Sequence, residues 1–163
     1  MILRPATPDD FPAVDSLLSR SYPRLLRNDY PPSTLVTALP LISRAQPQLL
    51  ASGTYYVMEA EDGALVAAGG WTATGPQGRS EPGAGHVRHV ATDPDHLGQG
   101  LARRILHHSF AAARAAGLTR LDCLSTLTAV PFYMRLGFQR LHPETLMLRP
   151  GITFDAVAMQ RPL

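Results

Sequence analysis

The chain reads as an α/β fold built on a mixed sheet, and three features of the sequence carry that reading. Strand-like and helix-periodic segments alternate along the 163 residues in the order β, α, α, β-β-β, α, β, α, β, β. The run Glu61-Asp62-Gly63 has hairpin-turn chemistry, which makes the strands around it antiparallel. A helix from about 100 to 116 separates two further strands, the connection that parallel neighbours require. No internal repeat, low-complexity tract or linker interrupts the chain, so residues 1–163 are read as one domain.

Residues 2–6 form a short first strand. Thr7-Pro8-Asp9-Asp10 then carries helix-start chemistry: a capping hydroxyl, a proline at the first helical position and two acids for the positive helix end. Phe11, Val14, Leu17 and Leu18 follow at helical spacing, and Pro23 is expected to end or kink this helix. Pro31-Pro32-Ser33 starts a second helix running to about Ile42 or Arg44, with Pro40 inside it. Residues 54–60 and 64–72 form a hairpin, and Gly69-Gly70 within the returning strand marks a bulge or a close backbone approach. Residues 73–85 form a long loop. His86 to Ala91 is a strand, a glycine-rich turn follows, and the next helix presents Leu101, Ala102, Ile105, Leu106, Phe110 and Ala113 on one stripe before Gly117 stops it. A strand over 118–124, a short helix over 129–136 ended by Gly137, and two strands over 139–149 and 152–159 complete the chain.

Composition excludes several classes of protein. Apolar residues make up 45% and charged residues 17%, a globular balance. The formal net charge is +2, all 15 basic residues are arginine, and Arg103-Arg104 is the only adjacent pair, so there is no basic run for nucleic acid or an anionic membrane. No stretch reaches the about 18 apolar residues of a membrane span. The lone Cys123 has no internal disulfide partner, and Met1 to Asp10 lacks the apolar core of a signal peptide; both point to the cytoplasm. No Cys/His ligand spacing is present, so no metal is expected.

Two runs carry the chemistry. In the first, His86 to Leu106 reads strand, turn, glycine-rich loop, helix. A helix N-terminus offers unbonded N–H groups and a partial positive charge, and the glycines of Leu97-Gly98-Gln99-Gly100-Leu101-Ala102-Arg103 let an anion come close to that backbone. The run lacks the Lys-Ser/Thr ending of a P-loop and the spacing of a dinucleotide fingerprint. The second run, about thirty residues on, is Thr126-Leu127-Thr128-Ala129-Val130-Pro131-Phe132-Tyr133-Met134-Arg135-Leu136-Gly137-Phe138.

Together these runs, across 86–138, resemble the Gcn5-related N-acetyltransferase (GNAT) family. The resemblance implies a mostly antiparallel sheet of six or seven strands with about four helices, splayed at its central strands. It implies acetyl-CoA as co-substrate and direct acetyl transfer to a primary amine of a small molecule or peptide. The alternative is a CoA-binding sensor without transfer activity. By the same resemblance the amides of Gln99 to Arg103, with Leu97 and Gly98 beside them, hold the pyrophosphate, and Val90, Ala91 and Thr92 pair with the pantetheine arm. Leu97 stands where the family has Gln or Arg, and Thr126 where many members have Asn. Tyr133 falls at the tyrosine near the CoA sulfur, and Phe132 packs in the core or against CoA. A gapless count back from the loop puts His86 at the general-base position, with His89 as competitor on the opposite strand face. The resemblance places the acceptor site around residues 8–44, where Asn28, Asp29 and Tyr30 could contact an amine and Glu81 of the long loop could attract it. Dimers are common in the family.

Overall fold

The structure, a computed structural model describing residues 1–163, contains a seven-stranded sheet in the order β1-β2-β3-β4-β5-β7-β6. The strands are β1 (Ile2–Pro5), β2 (Tyr55–Glu59), β3 (Leu65–Thr72), β4 (Ala84–Thr92), β5 (Arg120–Thr126), β6 (Gln139–Arg149) and β7 (Ile152–Pro162). Every neighbouring pair is antiparallel except β4–β5. Six α-helices accompany the sheet: α1 (Phe11–Leu26), α2 (Pro32–Thr37), α3 (Leu39–Ile42), α4 (Pro47–Leu50), α5 (Leu101–Ala115) and α6 (Val130–Arg135).

The two faces of the sheet are covered by different helices. On one face, Leu101, Ile105, Leu106, Phe110 and Ala113 of α5 pack with Trp71, Val87, Leu121, Cys123 and Tyr133. These are five of the six residues of the apolar stripe read from the sequence, all at most 4% exposed; the sixth, Ala102, is only partly buried. On the other face, Val14, Leu17 and Leu18 of α1 pack with Leu49, Leu50, Tyr55, Val57, Ala68 and Ala91.

Three local departures from the sequence expectation have physical causes. The first helix runs through Pro23 to Leu26. Pro23 and Ser19, whose carbonyl loses its partner, are both exposed, so water can satisfy the freed group, while Leu26 beyond them is buried against Tyr30 and Phe154. The expected second helix is instead two pieces broken at Ala38, next to Pro40, and α4 was not anticipated although Pro47 opens it. At the helix start Thr7 and Asp10 form a capping box, and the Asp10 carboxylate accepts from the Thr7 amide at 2.8 Å and from two Arg4 nitrogens at 2.8 and 2.9 Å.

The Gly69-Gly70 pair serves both purposes anticipated for it. Gly70 lies against the backbone before β2; a Cβ there would stand 2.2 Å from the Thr54 carbonyl oxygen and 2.6 Å from the Tyr55 Cα. Gly70→Ala is therefore expected to destabilise the fold by about 3 kcal/mol, because backbone has to move; a urea denaturation midpoint equal to that of the native protein would contradict this. Gly69 faces a bulge in β4. Ala68 pairs with Ala91 and Gly70 with Arg88, so one residue of β3 opposes two of β4, His89 and Val90. His89 sits at φ 44°, the only non-glycine residue with positive φ.

Candidate active site

β4 and β5 pair only over Ala84–His86 and Arg120–Asp122 and diverge beyond. Into the gap opens a cavity of about 390 Å³, lined by Val87, Arg88, His89 and Val90 from β4 and by Cys123, Leu124, Ser125 and Thr126 from β5. The rest of its wall comes from α1, α3, Gln46, Pro76, the start of α6 with Tyr133, and the β6–β7 hairpin. The splay expected for the central strands is thus present, and it creates the space.

Behind β4, the helix α5 begins at Gly100, whose φ of 72° and ψ of 18° are left-handed; Gly98 is also left-handed at φ 74°. The first α5 amide bonded within the protein is that of Arg104, which donates to the Gly100 carbonyl at 3.0 Å. The amides of Leu97 through Arg103 donate to no protein group. A Cβ placed on Gly98 or Gly100 would meet no protein atom within 4 Å. Unbonded amides at a positive helix end, beside two glycines with open space around them, fit a diphosphate. Leu97 is half exposed and contributes no polar side chain to this cradle.

Of the pantetheine-pairing candidates, Val90 lines the cavity, Ala91 is buried in the α1-side core, and the Thr92 carbonyl already accepts from Ser21 Oγ at 2.7 Å. The Val90 carbonyl takes the Tyr22 hydroxyl at 3.4 Å, and the His89 carbonyl takes the Tyr55 hydroxyl at 2.7 Å. Hydroxyls from α1 and β2 thus hold the bulge in place.

Tyr133 is positioned by the first turns of α6, 6% exposed, with Phe132 and Phe138 edge-on to its ring at 5.2 and 5.3 Å. It shares the α5-side core and the cavity wall with Cys123. Burial pushes the phenol well above its ordinary value, and burial pushes the Cys123 thiol up to about 12. Both groups are neutral at physiological pH. Tyr133 is therefore a hydrogen-bond donor, and Cys123 is an inert thiol. Thr126 Oγ1 accepts from the Ala129 amide at 3.2 Å and so caps the turn into α6. Phe132 packs against the α5-side core.

The histidines are arranged differently from the sequence reading. His86 does not line the cavity. Its ring lies under the β3–β4 loop, residues 73–83 in the structure, where a Cβ on Gly75 would sit 2.7 Å from its Cε1, and burial lowers its pKa. The cavity histidine is His89. The bulge defeats simple alternation: Arg88 and His89, adjacent in sequence, both reach Gln46. Arg88 donates to Gln46 Oε1 at 3.0 Å. That fixes the amide orientation, so Gln46 Nε2 donates to His89 Nε2 at 3.3 Å, and the remaining proton sits on Nδ1, which is buried without a partner. Burial, with the Arg88 charge beside it, lowers the His89 pKa to about 4.

Because the His89 pKa is depressed from the ordinary 6.5, the unfolded chain takes up this proton first. Stability contributed by the neutral ring is full above pH 6.5 and is lost as pH falls towards 4, about 3 kcal/mol in all. His89→Asn keeps a residue that accepts positive φ and removes the titration. Urea unfolding between pH 7 and 4 should show a shallower acid loss for the variant; parallel curves would contradict the assignment.

The remaining acceptor-side candidates lie outside the cavity, and three of them are tied into the fold. Tyr30 stacks on Phe154 at 4.6 Å, donates to the Asp155 carbonyl at 2.7 Å and accepts from the Leu127 amide at 2.9 Å. Asp29 accepts from Thr128 Oγ1 at 2.7 Å, Asn28 is exposed, and Glu81 pairs with Arg120 at 2.7 Å. None of the four lines the cavity. Sequence reasoning missed Arg88, Gln46 and Tyr22. Arg88 was inside the first motif, and only the bulge brings it to Gln46.

No group of three or more His, Cys, Asp or Glu side chains is placed to ligate a metal ion, and no helix is long and apolar enough to cross a membrane.

An acetyltransferase (GNAT) domain family model matches residues 51–140, which include β4, the amide cradle and Tyr133. The chain belongs to the GNAT acetyltransferase family. No functionally curated protein matches it by sequence. Among solved structures, a GCN5-related N-acetyltransferase from Rhodopseudomonas palustris superposes with a TM-score of 0.79 at 17% identity, covering 99% of this chain and 95% of that one. The PaiA N-acetyltransferase from Thermoplasma acidophilum, solved with coenzyme A, gives 0.73 at 10% identity, covering 99% and 98%. The ribosomal-protein-S18-alanine N-acetyltransferase from Escherichia coli gives 0.65 at 18% identity, covering 99% and 92%. At these identities the likeness is one of fold.

Proposed function

We propose that the protein moves an acetyl group from acetyl-CoA directly to the nitrogen of an amine. The observation that carries this is the conjunction of seven unbonded amides, Leu97 to Arg103, with a splayed cleft that ends at a neutral, buried tyrosine. The amides of Gly98 to Arg103 bind the diphosphate of CoA, and the free edge of β4 beyond His86 guides its arm into the cleft. The bulge at His89–Val90 takes a residue out of the ladder, and its amide stabilises negative charge developing on the thioester oxygen. The amine nitrogen bonds to the carbonyl carbon as the carbon–sulfur bond breaks, and the Tyr133 hydroxyl donates a hydrogen bond to the departing sulfur. With its pKa raised well above 10, Tyr133 does not surrender its proton to a thiolate whose conjugate acid lies near 8.5.

No carboxylate lines the cavity, and His89 is too weak a base at about 4. The amine therefore reacts from its free-base fraction, its proton going to solvent. We expect kcat/KM to rise steadily with pH towards the pKa of the amine itself, about tenfold per unit and with no break between pH 6 and 8; a levelling from a group of pKa near 7 would point to an enzyme base. The same lack of a base favours one other reading, a CoA-binding sensor. Thiol release measured over amino acids, polyamines, aminoglycosides and peptide N-termini separates the two: turnover supports the transferase, and CoA binding without turnover on any amine supports the sensor.

A further inference from the structure

We infer that the acceptor is an amine that also carries a carboxylate and an apolar substituent, of which an apolar α-amino acid is the smallest example, and that Arg88 binds the carboxylate; this rests on the transferase reading above. Among the residues lining the cavity there is no Asp or Glu, and Arg88 is the only permanently charged side chain. Arg88 forms no ion pair anywhere in the protein. Its partners are all neutral: Nη1 donates to Thr72 Oγ1 at 3.1 Å and to the Thr74 carbonyl at 3.4 Å, and Nη2 donates to Gln46 Oε1 at 3.0 Å. A guanidinium has five N–H donors, so two remain, the number a carboxylate takes in a bidentate contact.

A half-buried cation with no anion is unfavourable unless a ligand supplies one. Arg88 is held in that position from two sides, by Thr72 and Thr74 at the end of β3 and by Gln46 before α4, and burial lowers its pKa. The protonated amine finds no acidic partner here, which again favours uptake of the free base. Leu25, Leu41, Ile42, Leu146, Leu148 and Phe154 line the same cavity and offer an apolar surface for a substituent. Gln46 links the guanidinium to His89, so carboxylate binding would be felt at the bulge beside the reacting carbonyl.

The test compares matched acceptors, L-leucine, L-leucinamide and isoamylamine, by thiol release with native protein and Arg88→Gln. With kcat/KM expressed per free-base amine, the native protein should favour leucine over both carboxylate-free amines by about tenfold or more, and Arg88→Gln should erase that preference while leaving CoA affinity unchanged. Equal or better turnover of the carboxylate-free amines overturns the inference and leaves the transferase standing. If no amine is turned over, the transferase reading fails. Calorimetric titration of N-acetyl-L-leucine against N-acetyl-L-leucinamide then still decides the Arg88 site, since only the acid should bind, and only with Arg88 present; equal binding of the two would overturn it.

Discussion

Gly100→Val should weaken CoA binding on the order of a hundredfold, the loss of one or two charge-assisted hydrogen bonds to a phosphate. Two effects act together. The residue is left-handed at φ 72°, which a β-branched side chain adopts only with strain, so the amides from Gln99 to Leu101 shift. The new side chain also enters the space in front of those amides, where a Cβ meets no protein atom. Strain alone is controlled by Gly151→Val in the β6–β7 hairpin, where φ is 79° and a Cβ again meets nothing within 4 Å. Both variants should lose similar stability, and only Gly100→Val should lose CoA affinity in a calorimetric titration. Equal CoA affinity in the two would remove the cradle from the account.

Tyr133→Phe should lower kcat by roughly a hundred- to a thousandfold and change KM little, the signature of a contact made to charge that develops during reaction. The phenol is buried at the end of the cleft against Cys123, and its ring is held by Phe132 and Phe138, so removing one oxygen leaves the packing intact. A buried thiol of pKa about 12 cannot substitute for it. An unaltered kcat, with native thermal stability, would make Tyr133 a packing residue.

The parts of this molecule that were legible in the sequence are those set by local chemistry. The α5 stripe, the stop at Gly117 and the β2–β3 hairpin follow from periodicity and turn residues alone. The glycines at 98 and 100 were read as letting an anion come close to the backbone, and a Cβ on either would meet no protein atom within 4 Å. What could not be read depends on one extra residue. The bulge at His89–Val90 places consecutive side chains on Gln46, so an alternation count assigned His89 to the wrong face and gave Arg88 no role. Its only trace in the sequence was Gly69-Gly70 on the neighbouring strand. His86 was selected by counting along a strand, but whether a side chain faces the cleft or the β3–β4 loop depends on where β4 leaves β5, a tertiary event. Tyr30 and Asp29 sit in a region expected to contact an acceptor, yet long-range packing onto Phe154 and Thr128 uses them to fix the turn into α6.

The amide resonances of the glycine-rich loop offer the most direct measurement. Titrating CoA into 15N-labelled protein should move the backbone signals of Leu97 to Arg103 far more than those of α2 or the β6–β7 turn. If those seven signals stay in place while CoA binds, the nucleotide is held elsewhere and the assigned site is wrong.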